Sequence, residues 1–211
     1  MKKSKKNEGQ ERRSCCPQWA ELRIDPRQNA GEDEKITGYA AVFNSLSGDL
    51  GGFREEIAPG AFTRALAENH DVRALVDHDP SKILARSTSG TLVMEEDSHG
   101  LHVSINPADT SAGRDIKESI VRGDVSGMSF GFTVKADEWR MEDGENIRTL
   151  RDLDLFDVSV VTYPAYESSS VEVALRSLQV HRDEIAAELE DIRLEGKTAS
   201  AKARLRLAEN K

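Results

Sequence analysis

The stretch Val125-Ser126-Gly127-Met128-Ser129-Phe130-Gly131-Phe132-Thr133-Val134 predicts a strand from Ser126 to Val134, around which the rest of the chain is organised. Bulky apolar residues take every second position: Met128, Phe130, Phe132 and Val134. Because side chains along a strand point alternately to its two faces, one face is apolar and the other carries Ser129. The glycines on either side of Ser129 leave room for another backbone, such as a substrate strand, to approach its hydroxyl. A half-buried strand with an incidental serine also fits this pattern.

Short strands and turns surround this segment, and helices are few. Alternating or β-branched runs bounded by turn residues predict strands at 36–43, 72–76, 83–86, 90–94, 101–105 and 149–164, the last one bent near Phe156 and Asp157. Helices are predicted at 59–66 and 110–122. The second has Thr110 as N-cap, Gly123 as C-terminal stop, and Ile116, Ile120 and Val121 on one face. Strands that outnumber helices indicate a barrel or a sandwich.

Composition limits the class of protein. The chain has 211 residues, 37% hydrophobic and 32% charged, which suits one domain with polar tails. A net charge of −9 argues against a general nucleic-acid binder. The sequence shows neither the long apolar run of a membrane span nor the apolar segment of a secretion signal. The only cysteines, Cys15 and Cys16, are neighbours that cannot bridge distant segments, so a reducing compartment such as cytoplasm is expected.

The two ends of the chain differ in character from the middle. The first thirteen residues hold six lysines and arginines against two glutamates. After Ser177, a few leucines and isoleucines among dense mixed charges predict an amphipathic helix with a frayed end. We therefore predict a disordered basic arm at 1–20, a folded domain at 21–176, and a charged helical or disordered tail at 177–211.

His78 is the histidine best placed for a site, because it follows the predicted strand 72–76 and precedes Pro80, which halts the strand. Its neighbours Asp77 and Asp79 either raise the pKa of His78 by proximity or are solvated turn residues.

The other histidines have simpler interpretations. The spacing of His99 and His102 is compatible with a metal pair, but no further cluster has ligand-like spacing, so surface histidines are favoured. His70 fits the end of a helix, where the helix dipole favours positive charge.

Six blocks of sequence occur in the order seen in the tailed-phage prohead proteases of the HK97 type. They are Gly38-Tyr39-Ala40-Ala41-Val42-Phe43-Asn44, Glu56-Ile57-Ala58-Pro59-Gly60-Ala61-Phe62, Leu75-Val76-Asp77-His78-Asp79, Ser89-Gly90-Thr91-Leu92, Gly127-Met128-Ser129-Phe130-Gly131-Phe132, and Phe156-Asp157-Val158-Ser159-Val160-Val161-Thr162-Tyr163-Pro164-Ala165. The resemblance covers roughly residues 36 to 175. It implies a serine endopeptidase related in fold to the herpesvirus assembly proteases: an α+β, mostly β protein with a β-barrel, a few surrounding helices and flexible termini.

The resemblance also implies roles for three residues. Ser129 would be the nucleophile, His78 the general base, and Asp157 the group that orients His78, which are the three types that activate a serine hydroxyl. Herpesvirus relatives use a second histidine in the third role, so a histidine elsewhere is the alternative to Asp157. Ser126, of opposite parity on the strand, is the weaker nucleophile candidate, and Ser159 should share the face of Asp157.

We expect a serine endopeptidase of phage head maturation, without metal or cofactor. Its expected partners are the major capsid protein precursor with its scaffold segment and a second copy of itself, with no nucleic acid or membrane. It would act in the host cytoplasm, inside the assembling prohead. The alternative is an inactive capsid-assembly scaffold with the protease fold; a metal-dependent hydrolase would need a ligand set that the sequence does not show.

Two regulatory features are also expected. The tails would serve as targeting handles for the inner capsid surface and be removed by the enzyme itself, unless they are ordinary disordered termini. In the implied dimer, the helix at 110–122 would transmit pairing to the Ser129 strand.

Overall fold

The computed structural model describes residues 10–15, 20–25, 34–163, 175, 177–190 and 192–193. The chain separates into two compact units, Met1–Val173 and Ala174–Lys211. The described residues of the second unit are helical. Among all the residues so described, no helix is long and apolar enough to cross a membrane.

The first unit is built mainly of strands, which confirms the predicted mostly-β, α+β class. Its strands are β1 (Gln10–Cys15), β2 (Arg23–Asp25), β3 (Lys35–Val42), β4 (Arg54–Ile57), β5 (Arg73–Val76), β6 (Asp79–Arg86), β7 (Leu92–Glu96), β8 (Gly100–Ile105), β9 (Gly127–Glu142) and β10 (Glu145–Val161). The helices are α1 (Thr63–Ala67) and α2 (Ser111–Arg122), with a 3-10 turn at Ser87–Ser89.

The strands form two sheets around a shared core. One sheet has the order β1-β9-β10-β5-β6, with β4 also paired to β10, and the other has the order β2-β3-β8-β7. β10 is the central strand of the larger sheet, since it pairs antiparallel with β9 on one side and parallel with β4 and then β5 on the other. The predicted bend in this strand coincides with a register shift between Leu155 and Asp157.

The apolar face of β9 lies in the core as predicted. Met128, Phe130 and Phe132 are at most 1% exposed. The Phe130 and Phe132 rings stack at 4.9 Å, and the Phe62 ring meets Phe130 edge-on at 5.7 Å. Each such side chain contributes about 1.5–3 kcal/mol through burial, so this row holds β9 firmly in register.

Several predicted elements differ in extent from the observed ones. β9 runs on to Glu142 and turns through Asp143 and Gly144 into β10, both turn residues having positive φ, as a tight hairpin requires. The predicted helix at 59–66 begins only at Thr63. In α2 the Thr110 cap and the Gly123 stop are confirmed, but Val121 is 70% exposed, because it lies about 100° around the helix from the buried Ile120.

Two corrections concern the site directly. Pro80 does not end a strand but lies within β6, where it is tolerated because β6 is the outer strand of its sheet. Residues 10–15, predicted as part of a disordered arm, form β1, paired along its whole length with β9. Residues 1–9 and 194–211, where targeting and self-removal are predicted, lie outside the described residues.

Candidate active site

His78 is presented by the tight turn between β5 and β6. Val76 pairs with Asp79, so Asp77 and His78 are the two turn residues, with φ of 50° and 56°. This left-handed conformation costs about 1 kcal/mol per residue and matches the twist of a two-residue hairpin. The Asp77 carboxylate accepts hydrogen bonds from the Thr162 backbone N–H (2.8 Å) and hydroxyl (3.0 Å), which fastens the turn to the end of β10.

Asp77 and Asp79, the two acidic neighbours of His78, both form local hydrogen bonds. Asp77 is engaged by Thr162, and Asp79 accepts hydrogen bonds from the Ser81 backbone N–H and hydroxyl. Those bonds to Ser81 lower the pKa of the Asp79 carboxyl.

The three predicted residues come together in one chain of hydrogen bonds. His78 Nε2 lies 2.6 Å from Ser129 Oγ, and His78 Nδ1 lies 2.5 Å from Asp157 Oδ1. The side chains of His78 and Asp157 are only 8% and 7% exposed, and Ser129 is 2% exposed. Exclusion of water strengthens these contacts, because hydrogen bonds and charges interact more strongly in a low dielectric.

The position of Asp157 depends on Gly131. The two residues are partners across the β9–β10 ladder, and a Cβ at Gly131 would clash with Asp157 Oδ2 and with the Phe156 ring. The missing side chain therefore makes room for the carboxylate rather than for a substrate backbone. The backbone that does approach Ser129 is β1, whose Ser14 lies opposite Ser129 in the ladder.

Ser159 joins the same network from the next position on that face of β10. It is fully buried, its hydroxyl donates to Asp157 Oδ1 at 3.0 Å, and its oxygen lies 3.2 Å from His78 Nδ1. Because the strand side chains alternate, Ser159 shares the face of Asp157, as the sequence indicates, and the β9–β10 register places it opposite Ser129. Its hydroxyl holds Asp157 Oδ1 on the side that faces the imidazole.

We predict that Ser159→Ala lowers kcat by about 10-fold to 100-fold, since a hydrogen bond to a charged group contributes about 1.5–3 kcal/mol. KM should stay nearly unchanged, because Ser159 has no exposed surface for a substrate. Steady-state kinetics of Ser159→Ala, Asp157→Asn and the double variant check this. The double variant should be no slower than Asp157→Asn alone; additive losses would show that Ser159 acts independently of the carboxylate.

A cleft of about 300 Å³ opens beside His78, the one member of the hydrogen-bonded chain among its lining residues. It is lined by Arg12, Ser14, Asp77, His78, Val161, Thr162 and Tyr163. Its walls therefore come from β1, from the β5–β6 turn and from the end of β10. A peptide lying in this cleft would be next to the imidazole that connects Ser129 with Asp157.

The competing candidates lie elsewhere. Ser126 is exposed and precedes β9. His99 and His102 pack against the ring of Tyr39, with centroids at 4.5 and 5.2 Å. His70 follows α1, where its Nε2 lies 2.9 Å from Glu68 Oε2. None of these side chains is in hydrogen-bond contact with Ser129 among the described residues.

One grouping with ligand-like geometry was missed because Asp154 is far in sequence from Glu68 and His70. Glu68, His70 and Asp154 bring a nitrogen and two carboxylate oxygens within 4.8 Å of one another. Arg64 forms ion pairs with Glu68 at 2.8 Å and with Asp154 at 2.6 Å, and Lys135 reaches Asp154 at 2.7 Å. These cations already neutralise the carboxylates, so the group fits a surface salt-bridge cluster better than a metal site.

The sequence of this chain is similar to the sequences of known proteins. The family model described as the caudovirus prohead serine protease matches residues 21–184. The prohead protease of Enterobacteria phage HK97 is 31% identical over 155 residues, which cover 70% of this chain and 63% of that protein. This chain thus spans less than two thirds of the length of that relative.

One solved structure, that of the capsid assembly protease of bacteriophage T4, can be superposed on this chain with a TM-score of 0.42 at 10% sequence identity. The superposition covers 72% of this chain and 98% of the T4 chain. That likeness is too weak to support an argument. The family match needs no such support, because it runs through β5, β9 and β10 and so includes all three members of the hydrogen-bonded chain. On that match, the chain belongs to the caudovirus prohead serine protease family.

Proposed function

We propose that this protein is a serine endopeptidase that cleaves scaffold segments of a capsid precursor, and its own ends, during prohead maturation. The observation that carries the proposal is the buried chain from Ser129 Oγ through His78 to Asp157 Oδ1. It supplies a nucleophile, a base within hydrogen-bond reach of it, and a carboxylate that orients the base.

The geometry supports a two-stage reaction. Ser129 Oγ attacks the scissile carbonyl carbon while His78 Nε2 takes the hydroxyl proton, and Asp157 stabilises the imidazolium through Nδ1–H. Nε2 then gives this proton to the leaving amine, so the peptide C–N bond breaks and an acyl-enzyme remains. In the second stage Nε2 takes a proton from water while the water oxygen attacks the ester carbon. The bond between that carbon and Ser129 Oγ then breaks, the carboxylic acid product leaves, and Oγ takes the proton back from Nε2. The steps use only side chains of this chain and water.

The alternative, an inactive scaffold that keeps the protease fold, is less well supported. A structural protein has no need of three buried polar residues in this arrangement, since each costs desolvation unless it is fully hydrogen-bonded. We propose that the protein acts inside the assembling prohead, in the host cytoplasm; the family description and the name of the phage HK97 relative support a place in the prohead. A capsid precursor is then the substrate.

The test is to label the protein with a fluorophosphonate, a reagent for activated serines, and to co-express it with the capsid precursor. We expect a single adduct, located on Ser129 by peptide mass spectrometry, and precursor fragments of defined mass. An adduct on another serine would contradict the catalytic assignment. A precursor that stays whole beside labelled enzyme would contradict the substrate assignment.

We also propose that the active form is a dimer. The support is the place of α2, which leads through Gly123 directly into β9, together with the exposed Val121 on its surface. Activity per molecule should then fall on dilution. Constant specific activity down to a monomer, established by light scattering, would refute this proposal.

A further inference from the structure

β1 lies before the first residue of the family match, which begins at residue 21, yet it contacts the nucleophile strand along its whole length. Six consecutive residues of β1 pair antiparallel with β9, from Gln10 opposite Thr133 to Cys15 opposite Met128. β1 and β6 are the two edge strands in the order of the larger sheet, so β9 has β1 on one side and β10 on the other. Ser129 thus lies between Ser14 and Ser159.

The main chain of β1 is in direct contact with the nucleophile. Ser129 Oγ donates to the carbonyl oxygen of Arg13 at 2.9 Å, a bond that is buried. Ser129 has one hydroxyl proton, for which the Arg13 carbonyl and His78 Nε2 compete. The carbonyl therefore fixes the rotamer of Ser129 with Oγ beside the base, and the proton shifts between the two acceptors by rotation about one bond.

The side chains of β1 that point the other way anchor it in the protein interior. Arg13 is 4% and Glu11 1% exposed. Arg13 binds Glu55 at 2.7 Å and Glu11 at 2.6 Å, while Arg148 contacts both glutamates at 3.1 to 3.2 Å. Burial alone would lower the pKa of the Arg13 guanidinium, but Glu55 and Glu11 raise it above its ordinary value.

Such a network sets the register of β1. A slip by one residue would move Arg13 and Glu11 to the cleft face and take the Arg13 carbonyl away from Ser129. Buried charges that lose their partners are strongly destabilising, so the slipped arrangement is disfavoured. Arg12 and Ser14, which alternate with the anchors, line the cleft beside His78.

We propose that β1 is part of the active site: the Arg13 carbonyl positions the Ser129 hydroxyl, and the buried Glu11 and Arg13 side chains hold it in place. This rests on the proposed protease function. It follows that the enzyme stays active after self-processing of the N-terminus only if the cleaved bond precedes Gln10. Cleavage within β1 or just after it should end activity.

The test compares full-length variants by the rate constant of fluorophosphonate labelling and by the final fraction of labelled molecules. Glu11→Gln and Arg13→Ala should label completely but at least 10-fold more slowly, with kcat reduced by a similar factor and KM little changed. Arg13→Lys, which keeps the charge, should lie between Arg13→Ala and the wild type. Arg151→Ala, which removes an exposed ion pair with Glu138, is the matched control and should label at the wild-type rate.

A purely structural role for β1 gives a different result, namely a smaller labelled fraction with an unchanged rate constant, and would overturn the positioning role. If Arg13→Ala fails to fold, Glu11→Gln, which keeps the side-chain shape, decides the question. Intact mass provides the second readout: fully active enzyme whose chain begins after Cys15 would also overturn the proposal. Failure of the protease function itself is recognised separately, because the wild type would then not be labelled.

Discussion

Ser129→Ala should abolish proteolysis while leaving a folded protein. Loss of a serine nucleophile typically lowers the rate by three orders of magnitude or more. The free energy of unfolding should fall by about 1–3 kcal/mol, because the buried Arg13 carbonyl loses its donor although the cavity left is small. Product masses from the capsid precursor and thermal unfolding followed by circular dichroism measure the two effects.

Ser126→Ala is the matched control for this substitution. Ser126 is an exposed serine three residues before Ser129, so its replacement should change neither activity nor stability. Undiminished processing by Ser129→Ala would remove Ser129 as the nucleophile and with it the proposed mechanism.

His78→Ala is expected to have the second large effect, because it removes the base from Ser129 Oγ and the partner of Asp157. We expect kcat to fall by at least about 10³-fold with folding retained, since removal of a base from a serine triad costs nearly as much as removal of the serine. Asp157→Asn should be less damaging, because the base itself stays beside Ser129 Oγ. Initial rates over a range of substrate concentrations separate these variants.

His102→Ala tests whether the effect is specific to His78. His102 lies against Tyr39 on the smaller sheet, away from the hydrogen-bonded chain. If His102→Ala lost as much activity as His78→Ala, the assignment of His78 as the base would be wrong. If Asp157→Asn were as active as the wild type, another residue would have to orient His78.

Local patterns and resemblance together anticipated much of the site. The alternation of Met128, Phe130 and Phe132 with small residues placed Ser129 on the face away from the core row, because side-chain direction along a strand follows from position alone. The bend near Asp157 was visible as a change in the apolar pattern. That these three residues would meet came from the resemblance, since His78 lies 51 positions from Ser129 and 79 from Asp157, and such spacings carry no geometric information.

The sequence alone determined the mostly-β class, the apolar core face of β9, the caps of α2 and the family blocks, because these depend on neighbours within a few residues. Only the tertiary structure decided that Glu11 and Arg13 are buried in a strand, because their partners Glu55 and Arg148 lie 42 and 137 positions away. It likewise decided that Gly131 makes room for Asp157. From sequence alone, the charged β1 segment looks like a solvated arm, because a charge is stable in the interior only when the fold supplies its counterion. Gly131 likewise looks like an opening for substrate until its distant partner is known.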